Sequence, residues 1–148
     1  MNAPDYTLLD QDRNPVSLSD FSGQRVVVFF YPKAMTPGCT VEACDFRDSY
    51  EEFLAAGMAV VGLSPDPPEA LAEFREKEGL PFPLLSDADH KMAEAFGAWG
   101  VKKLYGRETV GLIRSTFVLG SDGELEREYR NVRATGHVAR LKRDLLGA

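Results

Sequence analysis

Two cysteines are the residues of this sequence best suited to do chemistry. Cys39 and Cys44 are the only cysteines in the chain, and they lie five positions apart. A cysteine thiolate is a nucleophile that peroxides and disulfides oxidise, and a second thiol nearby can condense with the oxidised first one. The pair therefore indicates redox chemistry at sulfur.

The residues around Cys39 favour a reactive thiolate. They predict the start of a helix, with Thr36 as the N-cap and Pro37 in the first helical position. Cys39 would then lie in the first turn, where unpaired backbone N–H groups and the helix dipole favour an anion. Arg47 is eight residues further on and too distant to help, whereas Arg114 could help if its strand neighbours the strand before Cys39. The alternative for Cys39 is an unreactive buried cysteine.

The spacing of the cysteines requires a conformational change if they are to form a disulfide. Five residues correspond to about 140° around an α-helix and to Cα atoms about 8.5 Å apart. A disulfide needs Cα atoms within about 7 Å, so Cys39 and Cys44 can bridge only if the first helical turns unwind. The alternative is an inert Cys44. Zinc is not favoured, because His90 and His137 are remote from the cysteines in sequence and form no recognisable ligand cluster with them.

The elements that must position Cys39 follow a strand–helix pattern. The apolar run from Val26 to Tyr31 is typical of a central strand covered on both faces, and Pro32 ends it. The next segment has apolar residues at helical spacing and ends at Gly57. Residues 58–63 then predict a second buried strand.

The rest of the chain predicts three further helices and two hairpins. The helices are expected at residues 68–77, 89–96 and 137–146, and the hairpins at 6–18 and 115–129. This order of elements predicts an α/β fold with a mixed central sheet flanked by helices, preceded by an N-terminal hairpin. We expect one domain over residues 1–148.

Composition narrows the partners and the location. The 148 residues are 44% hydrophobic and 27% charged, as is ordinary for a globular protein. The net charge of -6 argues against a nucleic-acid partner, and no apolar run approaches the roughly 20 residues of a membrane span. Since the start of the sequence lacks the features of a secretory signal, we expect a cytoplasmic protein with reduced cysteines.

One segment resembles the active site of a known family. Pro32-Lys33-Ala34-Met35-Thr36-Pro37-Gly38-Cys39-Thr40 is similar to the active-site run of the peroxiredoxins, in particular the bacterioferritin comigratory protein (peroxiredoxin Q) branch. The pattern Pro-x-x-x-Thr-x-x-Cys with a downstream arginine is specific for peroxiredoxins, and a cysteine five residues after the first is specific for this branch. Further similarities span nearly the whole chain, among them Glu42-Ala43-Cys44-Asp45-Phe46-Arg47, Gly62-Leu63-Ser64-Pro65-Asp66 and Arg114-Ser115-Thr116-Phe117.

The resemblance implies a thioredoxin-like fold and assigns roles to individual residues. Cys39 would be the peroxidatic cysteine and Cys44 the resolving cysteine. Thr36 would hydrogen-bond the peroxide, Arg114 would stabilise the thiolate and the departing oxygen, and Pro32 would shield the sulfur from water. Two segments depart from the family pattern: Ala34-Met35 replaces a more polar pair, and residues 131–135 form an unusual connection to the last helix.

The resemblance also implies a reaction, that of a thioredoxin-dependent, atypical 2-Cys peroxiredoxin. Hydrogen peroxide or an organic hydroperoxide would oxidise Cys39 to a sulfenic acid, and Cys44 would convert this to an intramolecular disulfide. Thioredoxin or a similar dithiol would reduce the disulfide, with no metal, haem or flavin. The branch favours a monomer, and Glu42, at a position often acidic in the family, would have a supporting part.

Three other functions remain open from the sequence. A thiol–disulfide oxidoreductase acting on proteins is disfavoured, because its usual signature is Cys-x-x-Cys. A non-enzymatic redox sensor or holdase would be oxidised stoichiometrically without turnover. A peroxidase in which Cys44 has no role would still turn over with thioredoxin after replacement of Cys44 by serine.

A few other polar and aromatic residues could belong to a site. Trp99 and Tyr105 could line the peroxide pocket or a docking surface for the reductant, but surface or core packing is the favoured interpretation. Asp87, Asp89 and His90 are interpreted as a turn and helix cap rather than a metal site.

Overall fold

A mixed sheet lies at the centre of the computed structural model, which describes residues 6–104 and 106–147. The strands within these ranges are β1 (Leu8–Asp10), β2 (Pro15–Val16), β3 (Arg25–Phe30), β4 (Met58–Ser64), β5 (Leu84–Ser86), β6 (Trp99–Leu104), β7 (Arg107–Leu112), β8 (Ser115–Leu119) and β9 (Leu125–Tyr129). Seven of these described strands form one sheet in the order β2-β1-β5-β4-β3-β8-β9, and β6 and β7 form a separate antiparallel pair. Strands β3, β4 and β5 are parallel to one another, whereas β1 and β8 are antiparallel to their neighbours.

Helices cover both faces of this sheet. Those in the described residues are α1 (Pro37–Ala55), α2 (Pro68–Glu78), α3 (Lys91–Phe96) and α4 (His137–Leu146), with a 3₁₀ turn at Leu18–Phe21. Apolar side chains of α1, α2 and α4 share a buried cluster with one face of the central strands. The 3₁₀ turn, α3 and the last residue of β7 pack on the opposite face. None of the described helices is long and apolar enough to cross a membrane.

The central strands are apolar on both faces because both faces are covered. Every residue of β4 is buried, and in β3 only Arg25, at the first position, is not fully buried. Alternate residues of β3 face opposite clusters: the ring of Phe29 stacks on Phe46 of α1 at 4.5 Å between centroids, while Phe30 meets Phe117 edge-on at 5.8 Å. A buried strand of this kind fixes the position of the chain where it leaves the sheet.

The register of β3 and β8 determines which residues meet at the edge of the sheet. Phe30, the last residue of β3, pairs with Ser115, the first residue of β8. The segment that follows Phe30 and the residue that precedes Ser115 therefore lie at the same edge. Arg114 is thus placed beside the start of α1, as the sequence interpretation requires.

The α/β fold with a mixed sheet flanked by helices is confirmed, and so are both predicted hairpins. The short helix expected from about Asp89 to Phe96 is present, but α3 begins two residues later, at Lys91. His90 has a positive φ of 49°, which is not helical, so the helix begins only after it. The carboxylate of Asp87 accepts hydrogen bonds from the backbone N–H groups of Met92 and Ala93 in the first turn. Strand β5 and the β6–β7 hairpin were not predicted.

Candidate active site

The segment between β3 and α1 is held by Asp66, which follows β4. The backbone N–H of Ala34 donates to Oδ2 of Asp66 at 2.7 Å, and the hydroxyl of Ser64 donates to the same oxygen at 2.7 Å. The next residue, Met35, has a positive φ of 65°, a conformation that a residue with a side chain adopts only when its surroundings impose it. Asp66 therefore fixes a strained turn immediately before α1.

Helix α1 begins at the predicted position, but Thr36 does not cap it with its side chain. Thr36 is the N-cap residue in extended conformation, Pro37 is the first helical residue, and Thr40 N–H closes the first turn on the carbonyl of Thr36 at 2.9 Å. The hydroxyl of Thr36 donates instead to the carbonyl of Lys33 at 2.7 Å. Because this bond uses its only proton, the hydroxyl oxygen is left to accept a hydrogen bond from another group.

Cys39 lies in the first turn of α1, and its side chain contacts Arg114. The residue is 1% exposed, and Nη2 of Arg114 donates to its Sγ at 3.3 Å. Gly38 permits this approach, because a Cβ at that position would be 3.3 Å from the same Nη2. The first turn of a helix and a guanidinium both stabilise negative charge. The arrangement can therefore stabilise a thiolate at Cys39.

Glu42, one turn after Cys39, contacts the other side of the same guanidinium. Nη1 of Arg114 donates to Oε1 of Glu42 at 2.7 Å, and the side chain of Glu42 is 0% exposed. Burial raises the pKa of Glu42 to about 7, although the guanidinium of Arg114 lowers it. The second carboxyl oxygen, Oε2, has no hydrogen-bond partner among the described residues. Arg114 is thus fixed between a carboxyl group and a sulfur.

Cys44 is half-buried, and its contacts lie on α2 rather than at Cys39. Its thiol donates to Oε1 of Glu78, at the C-terminal end of α2, with Sγ and Oε1 3.5 Å apart. Nη1 of Arg47 donates to the backbone carbonyl of Glu78 at 2.6 Å. Burial raises the pKa of the Cys44 thiol, Arg47 lowers it, and the carboxylate of Glu78 raises it further. Both cysteines are free thiols.

The connection between β9 and α4 lies against Arg114. Backbone N–H of Val132 donates to the carbonyl of Arg114 at 3.0 Å, and Ala134 approaches Gly38, since a Cβ on Gly38 would be 3.8 Å from that of Ala134. His137, at the start of α4, is 4% exposed and shares a hydrogen bond of 2.7 Å with the hydroxyl of Thr116. Burial, Arg140 and Arg114 lower the pKa of His137 to about 4, so the imidazole is neutral at pH 7.

The structure brings only some of the predicted site residues together. Cys39, Arg114 and the supporting Glu42 are in direct contact, while Pro32 and Thr36 lie in the turn that leads to Cys39. Cys44 lies away from this cluster, against α2.

The aromatic and acidic candidates make packing or capping contacts where the structure describes them. Trp99 stacks on His90 with ring centroids 3.8 Å apart, and Tyr105 lies outside the described residues. Asp87 caps α3, as interpreted from the sequence. Among the described residues, no group of three or more His, Cys, Asp or Glu side chains is placed to hold a metal ion.

Sequence reasoning missed two residues that contact the site segments. Pro65 and Asp66 directly follow β4, the strand adjacent to β3, and this position could have indicated that Asp66 reaches the turn before α1. Glu78 carries no such signal, because a glutamate near the end of a helix is ordinarily a solvated surface residue.

Comparison with known proteins gives a consistent result. The AhpC/TSA family matches residues 1–128. Peroxiredoxin Bcp of Bacillus subtilis is 50% identical over 137 residues, covering 93% of this chain and 87% of the relative, and Peroxiredoxin Bcp of Escherichia coli is 50% identical over 135 residues, covering 91% and 86%. A solved structure of the bacterioferritin comigratory protein of Xanthomonas campestris is similar, with a TM-score of 0.90 and 34% identity over 96% of this chain and 90% of that one. That protein is described in terms of its alkyl peroxide reduction activity.

Proposed function

Since the chain belongs to the AhpC/TSA family, within which it is a peroxiredoxin and thus a thiol-dependent peroxidase, we propose that Cys39 is the residue oxidised by peroxide and that Cys44 resolves the product. The contact between Arg114 and the sulfur of Cys39 carries this proposal. It supplies a cation to a buried sulfur in the first turn of a helix, where a thiolate is stabilised.

The oxidation step uses the thiolate of Cys39 as the nucleophile. Its sulfur attacks one oxygen of the peroxide, an S–O bond forms, and the O–O bond breaks. The other oxygen leaves as water or an alcohol after taking up a proton, and Cys39 becomes a sulfenic acid. Arg114 stabilises negative charge first on the sulfur and then on the departing oxygen, because its guanidinium already contacts the sulfur. Hydrogen peroxide and organic hydroperoxides are both substrates in this proposal.

Other residues position the peroxide and the arginine. The hydroxyl oxygen of Thr36 accepts a hydrogen bond from the peroxide O–H, since its own proton is donated to Lys33. Pro32 shields the sulfur from water. Glu42 orients Arg114 through the 2.7 Å bond to Nη1, leaving Nη2 directed at Cys39.

Resolution requires α1 to unwind locally. In an intact helix the Cα atoms of Cys39 and Cys44 are about 8.5 Å apart, beyond the reach of a disulfide. After unwinding, the sulfur of Cys44 attacks the sulfenic acid, the S–O bond breaks, and water leaves with the proton of Cys44. Thioredoxin or a similar dithiol then reduces the disulfide and is itself oxidised.

We further propose that residues 1–148 form a single domain that acts as a monomer in the cytoplasm. Two apolar clusters lie on the two faces of one continuous sheet, which supports one folding unit. A reducing compartment supports the cycle, because its starting state needs two thiols. Analytical ultracentrifugation of the reduced protein tests the monomer, and two species in slow or concentration-dependent exchange would contradict it.

The decisive experiment is the intact mass of the reduced protein within seconds of adding one equivalent of hydrogen peroxide. The proposal expects the loss of two hydrogens in the wild type, the gain of one oxygen in C44S, and no change in C39S. A gain of oxygen in the wild type would leave Cys39 as the oxidised residue but remove Cys44 from resolution. An unchanged wild-type mass would refute the peroxidase cycle itself.

The reductant is tested separately by steady-state turnover. With thioredoxin, thioredoxin reductase and NADPH, wild-type protein should consume NADPH continuously when hydrogen peroxide or tert-butyl hydroperoxide is added. C44S should lose turnover with thioredoxin, whereas a peroxidase in which Cys44 has no role would retain it. Oxidation of one equivalent without further NADPH consumption would instead identify a sensor.

A further inference from the structure

Glu78 holds two residues of α1 from the end of α2. Its carboxylate accepts a hydrogen bond from the thiol of Cys44 at 3.5 Å, and its backbone carbonyl accepts one from Arg47 at 2.6 Å. Cys44 and Arg47 are three positions apart and therefore lie on the same side of α1. One residue of α2 thus binds α1 at two points, just after the turns that carry Cys39.

These contacts are incompatible with a disulfide between the two cysteines. In the folded helix the sulfur of Cys39 accepts a hydrogen bond from Arg114, and the thiol of Cys44 donates one to Glu78. The cysteines point to different partners and are too far apart for a bridge. Formation of the disulfide must therefore unwind residues 37–44 and break the contact between Cys44 and Glu78.

We propose that the Cys44–Glu78–Arg47 latch, the two hydrogen bonds that these three residues form, holds Cys44 on the folded helix and that its release sets the rate at which Cys44 reaches oxidised Cys39. This inference rests on the proposed function, in which Cys44 is the resolving cysteine. Glu78 is a positioning residue in this scheme. Its carboxylate stabilises the folded helix and does not take part in the oxidation of Cys39.

The latch determines the fate of the sulfenic acid because two reactions compete for it. In the first, Cys44 forms the S–S bond and water leaves. In the second, another peroxide molecule transfers an oxygen to the sulfur, its O–O bond breaks, an alcohol or water leaves, and Cys39 becomes a sulfinic acid. A tighter latch slows the first reaction and leaves the second unchanged, so it increases over-oxidation.

The test compares E78Q with the matched control E76Q. Glu76 is exposed near the same end of α2, so E76Q makes the same change of charge without touching Cys44. Each variant is treated with a graded excess of hydrogen peroxide, and intact mass gives the ratio of disulfide to sulfinic acid. In E78Q this ratio should rise about fivefold, because the uncharged amide oxygen of glutamine accepts the thiol hydrogen bond more weakly than a carboxylate does, and a charge-assisted hydrogen bond exceeds an ordinary one by about this factor. R47Q should shift the ratio in the same direction, and E76Q should match the wild type.

Two further readouts separate the latch from a general loss of stability. The rate of the first oxidation of Cys39, followed in stopped flow, should be the same in E78Q and wild type. Hydrogen exchange of residues 37–44 in the reduced protein should be faster in E78Q and R47Q than in E76Q. An unchanged ratio in E78Q overturns the latch. A lower ratio of disulfide to sulfinic acid also overturns the latch, and it indicates that Glu78 instead removes the proton from the Cys44 thiol. A wild type that forms no disulfide overturns the role of Cys44 in the proposed function, and the latch with it.

Discussion

Replacing Glu42 by glutamine should change how the stability of the reduced protein depends on pH. The side chain is 0% exposed, and burial raises its pKa from 4.5 to about 7 despite the opposing effect of Arg114. Because the pKa is higher in the folded protein, the folded state binds this proton more tightly than the unfolded state. The contribution of Glu42 to the free energy of unfolding therefore falls as the pH rises from about 4.5 through 7.

The size of this effect follows from the two pKa values. At about 1.4 kcal/mol for each pH unit between 4.5 and 7, ionisation of Glu42 lowers the free energy of unfolding by about 3 kcal/mol. Glutamine has a similar shape and still accepts a hydrogen bond from Arg114, but it cannot ionise. Stability of E42Q relative to the wild type should therefore increase by about 3 kcal/mol between pH 4.5 and pH 8.

Urea unfolding of the reduced protein at several pH values measures this difference. E51Q is the matched control, because Glu51 is an exposed residue of the same helix. Its stability should follow that of the wild type at every pH. If the curve of E42Q also runs parallel to the wild type between pH 4.5 and pH 8, Glu42 is ionised throughout and the argument from burial is refuted.

Three further substitutions test other parts of the site and the core. Burial and the neighbouring cations lower the pKa of His137 from 6.5 to about 4. The stability of the wild type relative to H137Q should therefore fall by about 3 kcal/mol as the pH falls through this window, and equal slopes in urea unfolding would contradict this. D66N weakens the hydrogen bond from Ala34 N–H and thus the turn that carries Thr36. The rate constant for oxidation of Cys39 in stopped flow should therefore fall about tenfold. An unchanged rate constant would show that the turn keeps its conformation without Asp66. G62A places a Cβ 2.8 Å from Cζ of Phe29 and 3.0 Å from Cδ2 of Leu84, both buried, and should lower the free energy of unfolding by about 1–3 kcal/mol. G100A, whose Cβ would meet only Ile113 at 3.8 Å, is its control, and equal stabilities of the two variants would refute the steric argument.

The elements with strong local signals could be predicted from the sequence. Strand β3 is an unbroken apolar run ended by Pro32, and α4 was predicted with its observed bounds, His137–Leu146. The β8–β9 hairpin was indicated by its Asp-Gly turn. In these cases the local pattern and the tertiary environment agree, because both depend on the same buried face.

The missed strands lack such a face. Strand β5 has only three residues and follows a segment that contains Pro81 and Pro83. Most residues of β7 are exposed, and the paired Val101 and Val110 of the β6–β7 hairpin are 61% and 64% exposed. Without a buried side the alternation of apolar and polar residues that indicates a strand is not imposed.

The site was predictable only as far as it depends on neighbouring strands. Arg114 could be placed beside Cys39 because the pairing of β3 with β8 was a stated condition, and the register meets it. The contacts of Asp66 and Glu78 depend instead on how the ends of β4 and α2 lie against α1. The position of Asp66 after a strand next to β3 gives some indication of its contact, whereas a glutamate near the end of a helix, such as Glu78, has no sequence pattern that separates it from a surface residue.

The titrations of Glu42 and His137 oppose one another, and Arg114 acts on both. Raising the pH from 4.5 to 6.5 lowers stability through Glu42 and increases it through His137, so the two effects largely cancel in the wild type. E42Q should therefore gain stability with rising pH over this range, and H137Q should lose it. The double variant E42Q/H137Q should regain the flat dependence of the wild type. A double-mutant cycle at each pH measures the coupling between the two sites. If the double variant retains the slope of either single variant, one of the two pKa shifts does not exist in the folded protein.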